Sequence, residues 1–217
     1  MAHKEYYDSK GNEIPSVTQI LKVLNKPAVI EWANYLGFHK INYKQLLDEK
    51  ADIGTYVHER IEKYFNKKDP KEEKEILDLK IKKQVDSLFD LFLDWEKSIK
   101  PIPIEIESSY TNSRFGGTID CILEINKEIV LIDFKTSKKP YPSHFLQLGG
   151  YLILIEDNNK ELYDKIAYVQ IISLGKGLKI ETKFIDEMIK YKEAFKSVFD
   201  IYLYWKNILK EDWNEFI

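Results

Sequence analysis

Two aspartates and a lysine occur in a pattern that could hold a metal ion beside an anionic substrate. Two strand-like segments flank the dipeptide Asn126-Lys127, so the sequence predicts a β-hairpin with a two-residue turn. That turn places Asp120 on the first strand directly opposite Asp133 on the second. Lys135 follows two residues later, and because side chains alternate along a strand, all three are expected on one face.

The facing aspartates carry like charges, which destabilise a sheet unless a cation or a shared proton lies between them. The simplest occupant is a hard divalent cation such as Mg²⁺, which binds carboxylates together with waters and substrate phosphates. Such an ion polarises a phosphoryl oxygen and lowers the pKa of bound water. Lys135 would orient that water or stabilise the charge of the transition state.

Two features favour this site over a surface hairpin that carries three unrelated charges. Asp133 follows the apolar run Ile129-Val130-Leu131-Ile132, which is expected to be buried, and an unpartnered carboxylate there is costly. Gly116-Gly117 precedes Asp120 closely and would let a backbone or a ligand approach the strand.

Composition limits the kind of protein. The 217 residues are 44% hydrophobic and 32% charged, as in an ordinary folded domain. A single cysteine, Cys121, excludes internal disulfides, zinc-thiolate sites and protein-held iron–sulfur clusters. The net charge of -3 gives nucleic acid no general attraction, so binding would need a local basic patch plus metal. Without a membrane-spanning run or a signal-peptide pattern, an intracellular protein is expected.

The remaining segments predict an α/β fold, with a mixed β-sheet flanked by helices and a helical N-terminal portion. We predict one domain over residues 1–217, with a mainly helical part at 1–100, a sheet core at 101–185 and a C-terminal helix at 186–217. Helices are predicted from the Ser16 capping box to about Leu24, in a short segment ending near Gly37, over 43–65 with a break near Gly54, and over 71–97, 142–155 and 186–209. Strands are predicted in a hairpin over 6–14 and over 102–107, 166–174 and 178–184.

Three short motifs follow one another along the chain. They are Gly117-Thr118-Ile119-Asp120, then Asp133-Phe134-Lys135-Thr136, then Gln147 with Tyr151 one helical turn later. In order and combination they resemble the RecB-type branch of the PD-(D/E)xK nucleases, with Ile119 in place of the usual proline. Segment 14–21 and segment 133–140 further resemble the mitochondrial genome-maintenance exonucleases and related phage exonucleases.

The resemblance implies a restriction-endonuclease-like fold and a metal-dependent DNA nuclease, with an exonuclease on single-stranded DNA ends favoured. The implied cofactor is Mg²⁺, for which Mn²⁺ can substitute, and the implied location is the cytoplasm of a bacterial or phage-infected cell. The helical N-terminal part would form a wall or arch that a free strand threads. Implied metal ligands are His58, Asp120, Asp133 and the backbone carbonyl of Phe134, and implied catalytic residues are Asp120, Asp133 and Lys135.

Expected substrate contacts are Gln147 and Tyr151, which share one helix face, together with Arg114 and Thr136. Lys138-Lys139 could bind phosphates like Arg114, although solvated charges explain these basic residues equally well. Trp32, Tyr35, Tyr43 and Tyr56 could stack on bases or simply pack in the core.

Structural alternatives remain for the other candidates. His58 could be a satisfied core histidine, although Gly54 at i−4 would open space beside its ring. Glu107 could join the metal site, but an ordinary strand charge is expected there. The rival functions are a structure-selective endonuclease with the same site and a catalytically silent nucleic-acid-binding module.

Overall fold

The computed structural model describes residues 4–24, 27–67 and 78–208, and a five-stranded sheet forms its centre. The strands within these ranges are β1 (Tyr6–Tyr7), β2 (Glu13–Ile14), β3 (Ile102–Thr111), β4 (Gly116–Ile125), β5 (Glu128–Lys135), β6 (Ile166–Ser173) and β7 (Lys179–Phe184). Strands β1 and β2 form the predicted N-terminal hairpin, and the other five strands lie in the order β3-β4-β5-β6-β7. Only β5 and β6 of this sheet are parallel, so the predicted mixed sheet is confirmed.

Helices precede the sheet, connect β5 to β6 and follow β7. They are α1 (Val17–Ile20) with a 3₁₀ turn (Leu21–Val23), α2 (Pro27–Phe38), α3 (Tyr43–Phe65), α4 (Leu79–Ile99), α5 (Pro142–Asn158), α6 (Lys160–Lys165) and α7 (Ile189–Ile208). The parallel pair β5 and β6 needs a crossover connection, which α5 and α6 supply. The α/β fold class is therefore confirmed, with a helical N-terminal portion before a sheet flanked by helices.

The turn between β4 and β5 has the conformation that fixes a tight hairpin. Asn126 and Lys127 have φ values of 52° and 70°, and two successive left-handed residues form a type I′ turn. The predicted register is confirmed, because Cys121 pairs with Ile132 and the pairs continue to the turn. The aspartates predicted to face each other lie one residue beyond this last pair.

Both faces of the sheet are covered by helices, so alternate residues of each central strand are buried on opposite sides. On one face, α5, α7 and α1 pack against residues that include Ile122, Leu131 and Val169. On the other face, α3 and α4 pack against residues that include Leu123, Val130 and Ile132. This second layer carries His58 of α3 to the end of the sheet where the carboxylates lie.

Several predicted boundaries need correction. The predicted break near Gly54 is wrong, because α3 runs unbroken through it. The predicted helix over 71–97 does not run continuously, because Asp78 is extended and its carboxylate caps a helix that begins at Leu79. Residues 68–77 and Leu209 lie outside the described residues, and the short helix α6 was not predicted.

Close contact between α5 and α7 generates a stability prediction. A Cβ at Gly149 would lie 2.7 Å from the backbone oxygen of Tyr191, and backbone cannot move aside cheaply. We predict that Gly149→Ala lowers the free energy of unfolding by about 1–3 kcal/mol, as overpacking does. Gly37→Ala is the matched control, since nothing lies within 4 Å of its Cβ. Urea denaturation measures both, and equal stability of the two variants would contradict the prediction.

Candidate active site

Three carboxylates on neighbouring strands lie at one level of the sheet. The register of β3 with β4 places Glu107 at the level of Asp120. The register of β4 with β5 places Asp133 at that level on the other side. Within the described sheet Asp120 joins no backbone pair in either register, and the backbone N–H of Phe134 instead donates to Asp120 Oδ2 at 2.8 Å. The ladders are therefore interrupted where the negative charge is concentrated.

A histidine from α3 approaches two of these carboxylates. His58 Nδ1 lies 3.4 Å from Asp120 Oδ2 and 3.9 Å from Glu107 Oε1. One ligand atom from each of the three residues lies within 4.8 Å of the other two. These half-buried residues form the His58 cluster. The buried neighbours Val57 and Ile61 anchor α3 against the sheet and so hold the imidazole in place.

The backbone at Glu107 is unusual for a strand. Its φ of 47° lies in the left-handed region, which a residue with a side chain enters at a cost of roughly 1–2 kcal/mol. Glu107 also falls between two paired residues of β3 without a partner of its own in the described sheet. Strain of this kind collects at functional sites, where the surrounding structure enforces it.

Asp133 and Lys135 form a second, connected group beside the His58 cluster. Lys135 Nζ donates to Asp133 Oδ1 at 2.9 Å and to Gln147 Oε1 at 3.1 Å. Gln147 Nε2 donates to the Tyr151 hydroxyl at 2.8 Å. The predicted need of Gln147 for a hydrogen-bond partner is thus met at both ends of its amide. Helix α5 holds Lys135 in place through this chain.

One buried polar atom in this group lacks a hydrogen bond. Asp133 Oδ2 is the only buried side-chain oxygen or nitrogen in the described part of the chain with no partner in hydrogen-bond geometry. It lies 2.8 Å from Lys135 Nζ, so it has an ion-pair contact but not an aligned donor. A buried carboxylate with an unused oxygen has remaining capacity for a ligand.

Charge within the site shifts several pKa values. Burial opposes protonation of His58, but the charge of Asp120 and the polar contacts with Asp120 and Glu107 outweigh it and raise the pKa of His58 to about 10. Burial raises the pKa of Asp133 to about 6, with Lys135 opposing the rise. For Lys135, burial favours the neutral amine, yet Asp133 and Asp120 together raise its pKa. The site therefore sets three carboxylates against two cations, which compensate the negative charge only in part.

The His58 cluster has the chemistry of a divalent-cation site. Mg²⁺ and Mn²⁺ prefer carboxylate oxygens, and neutral imidazole is a common metal ligand in proteins. Two ligands about 2.1 Å from one ion lie between about 3 and 4.2 Å apart, and the distances of 3.4 and 3.9 Å fall in that range. The unpartnered oxygen of Asp133 lies at the same level of the sheet. The residues present therefore fit a divalent cation.

The predicted site residues are brought together only in part. His58 and Asp120 lie in the cluster, whereas Asp133 pairs with Lys135 and Phe134 contacts Asp120 through its N–H. Thr136 borders Gly54, whose added Cβ would lie 3.7 Å from Thr136 Oγ1.

The basic and aromatic residues that were candidates for DNA contacts are either exposed or packed against other side chains. Among the described residues, Arg114 interacts with Asn112 and with the Phe199 ring rather than with the cluster. Lys138-Lys139 is exposed, and Lys139 lies near the Tyr141 ring. The aromatic side chains have separate contacts: Trp32 packs against Tyr43, Tyr35 is exposed beside His39, and Tyr56 packs against the α3–α4 core.

Glu107 is the residue that sequence reasoning undervalued. Its place opposite Asp120 depends on the β3–β4 register, and the irregular connection at residues 112–115 gives no two-residue turn from which to count. The pattern alternates only up to Glu107 itself, which is where the backbone turns left-handed. A local sequence signal for this register is therefore lacking.

Comparison with known proteins gives a family match. The family described as the PD-(D/E)XK nuclease superfamily matches residues 34–213 of this chain. No curated protein matches it. A solved structure titled "Crystal structure of SSO0001" is 14% identical, with 67% of this chain and 72% of that chain covered and a TM-score of 0.33. None of the helices in the described ranges is long and apolar enough to cross a membrane.

The geometry generates a prediction about metal affinity. We predict that Glu107→Gln weakens Mn²⁺ binding by about tenfold or more, because it replaces a charged oxygen ligand with a neutral amide. Glu105→Gln is the matched control, since Glu105 lies on the same strand and bonds to the Tyr110 hydroxyl instead. Electron paramagnetic resonance of free Mn²⁺ measures the affinity. Equal affinities in the two variants would remove Glu107 from the ligand set.

The left-handed backbone generates a separate prediction. Glu107→Gly and Glu107→Ala both remove the carboxylate, but only glycine adopts a φ of 47° without steric cost. We therefore expect the glycine variant to be more stable than the alanine variant by about 1 kcal/mol. This order is opposite to the usual order in a strand interior. Paired guanidinium denaturation curves measure it, and an alanine variant of higher stability would show that the strain is absent.

Proposed function

The chain belongs to the PD-(D/E)XK nuclease superfamily, and from that premise we propose that it is an Mg²⁺-dependent exonuclease that degrades single-stranded DNA from a free end. Membership of the superfamily implies a metal-dependent nuclease with DNA as its substrate. The observation that carries the proposal is the His58 cluster beside a buried lysine–aspartate pair. It combines ligands for a cation with a fixed positive charge for a phosphate.

His58, Glu107 and Asp120 would hold the divalent ion. Asp133 Oδ2, which contacts Lys135 Nζ but accepts no hydrogen bond, offers a further ligand at the same level. When bound, the ion supplies positive charge that neutralises the phosphoryl oxygens and favours ionisation of water. The ligand set thus differs from the expected one by the addition of Glu107. The carbonyl of Phe134 stays a predicted ligand.

Lys135 would act as a charged donor rather than as a base. Its raised pKa keeps the ammonium protonated at neutral pH, where burial alone would favour the amine. An ammonium has three N–H donors, of which Asp133 and Gln147 use two. The third donor is available to the scissile phosphate, where negative charge grows in the transition state. Gln147 and Tyr151 would position Lys135 through their hydrogen bonds.

Preference for single-stranded ends rests on the motifs and not on the site chemistry. The Gly-x-x-Asp, Asp-x-Lys and Gln-x-x-x-Tyr pattern resembles the RecB-type branch. Segments 14–21 and 133–140 resemble the mitochondrial genome-maintenance and phage exonucleases, whose DNA substrate is often single-stranded and cut from an end. Arg114, Thr136 and Lys138-Lys139 stay candidate contacts with the strand. A structure-selective endonuclease would use the same residues, so substrate topology must separate the two.

Two substitutions test the proposed roles. We predict that Asp120→Asn and Lys135→Met each lower kcat for cleavage of a labelled single-stranded oligonucleotide at least about 100-fold, since each removes charge that stabilises the transition state. Asp90→Asn and Lys82→Met, on the exposed face of α4, are the matched controls. Circular dichroism and thermal unfolding verify that each variant folds, because Lys135→Met also leaves a buried carboxylate without its cation.

Retained activity in a folded Asp120→Asn or Lys135→Met variant would refute the assigned roles. Substrate topology tests the mode of cleavage: end-labelled linear strands should release short products in Mg²⁺ and none in EDTA. Closed circular single strands of the same sequence should remain intact. Cutting of the circles would replace the exonuclease with the endonuclease.

A further inference from the structure

Three hydroxyl groups and a lysine form a connected line next to the carboxylates. Thr118 Oγ1 lies 2.8 Å from the Tyr6 hydroxyl and 2.8 Å from Ser109 Oγ. Tyr6, Thr118 and Ser109 form the hydroxyl row. Lys4 Nζ donates to Ser109 Oγ at the exposed end of this row. The hydroxyl row thus joins the N-terminal hairpin to β3 and β4.

The hydroxyl row lies beside the His58 cluster. Ser109 and Thr118 pair directly across β3 and β4, and each lies two residues from the carboxylate of its own strand. Two residues of a strand span about 7 Å, close to the spacing between neighbouring phosphates of a nucleic-acid strand. Burial raises the pKa of Tyr6, the hydrogen bond with Thr118 lowers it and the charge of Glu107 raises it further, as expected for a hydroxyl near the cluster.

The hairpin that carries Tyr6 is held firmly against β4. The backbone N–H of Gly116 donates to the carbonyl of Pro15 at 3.0 Å. The Tyr6 ring covers Gly116, where an added Cβ would lie 2.5 Å from the nearest ring carbon. Gly116 therefore permits the close approach of the Tyr6 side chain, whereas a backbone or a ligand was expected there. These contacts fix the Tyr6 hydroxyl beside Thr118.

Hydrogen-bond capacity in the row is not exhausted. Three hydroxyls carry three protons, and the two links between them use only two. Lys4 donates one of its three N–H groups to Ser109 and has no carboxylate partner among residues 4–24, 27–67 and 78–208. One hydroxyl proton and two ammonium protons thus remain for an anion. Lys4 supplies a positive charge beside a site otherwise rich in carboxylates.

We infer that Lys4 and the hydroxyl row bind the phosphodiester next to the one held at the His58 cluster. This inference rests on the proposed function, because it needs a DNA strand as the ligand. The His58 cluster would bind one phosphate through a metal ion, and the hydroxyl row with Lys4 would bind the next phosphate through hydroxyl and ammonium donors. Phosphate contacts of this kind fix the register of a strand without reading its sequence.

The alternative is that the hydroxyls only fasten the hairpin to the sheet. The two possibilities predict different effects on cleavage when a substitution in the protein is combined with a modified linkage in the DNA. A methylphosphonate linkage removes the charge of one phosphate, and Lys4→Met removes the charge of its proposed partner. If the two groups touch, their losses should not add.

The experiment measures single-turnover cleavage of single-stranded oligonucleotides that carry one methylphosphonate at successive positions. In the wild-type chain, we expect the neutral linkage adjacent to the cut to lower kcat/KM about tenfold, mainly through KM. Lys4→Met should lower it by a similar factor and show no further loss with that linkage. Ser109→Ala should behave like Lys4→Met.

Lys10→Met on the tip of the same hairpin is the control, and it should retain both full activity and full sensitivity to the neutral linkage. Additive losses in Lys4→Met, or activity equal to Lys10→Met, would overturn the inference while the proposed function stands. Absence of metal-dependent cleavage by the wild-type chain would overturn both.

Discussion

Repulsion among three carboxylates is the constraint around which this molecule is organised. Glu107, Asp120 and Asp133 lie at one level on three neighbouring strands, where like charges destabilise a sheet. The sheet is irregular at this level: the β4–β5 pairing ends before Asp120, the β3–β4 pairing skips it, and Glu107 takes a left-handed conformation. A fold that served stability alone would place apolar residues at this level.

Elements from both sides of the sheet supply the compensating charge. His58 comes from α3 on one face, and α5 on the other face holds Lys135 through Gln147. Two cations against three carboxylates leave an excess of negative charge, and one buried oxygen of Asp133 stays without a hydrogen bond. A divalent cation would remove both deficits, so the electrostatics and the family membership lead to the same chemistry.

Local signals in the sequence predicted much of this arrangement. The Asn126-Lys127 turn fixed the β4–β5 register, and alternating or helical apolar patterns located most elements near their observed bounds. An ordinary strand charge was expected at Glu107, because its position beside Asp120 depends on pairing across an irregular connection. The sequence also did not predict that Asp120 contacts His58 whereas Asp133 pairs with Lys135. This difference depends on which helix packs beside each carboxylate.

The metal site can be located directly by anomalous X-ray diffraction from crystals of the chain grown with Mn²⁺. We predict an anomalous peak about 2.1 Å from ligand atoms of His58, Glu107 and Asp120. A peak bound by Asp133 without His58 and Glu107, or a peak elsewhere in the molecule, would contradict the proposed site. So would the absence of any peak at Mn²⁺ concentrations that support cleavage.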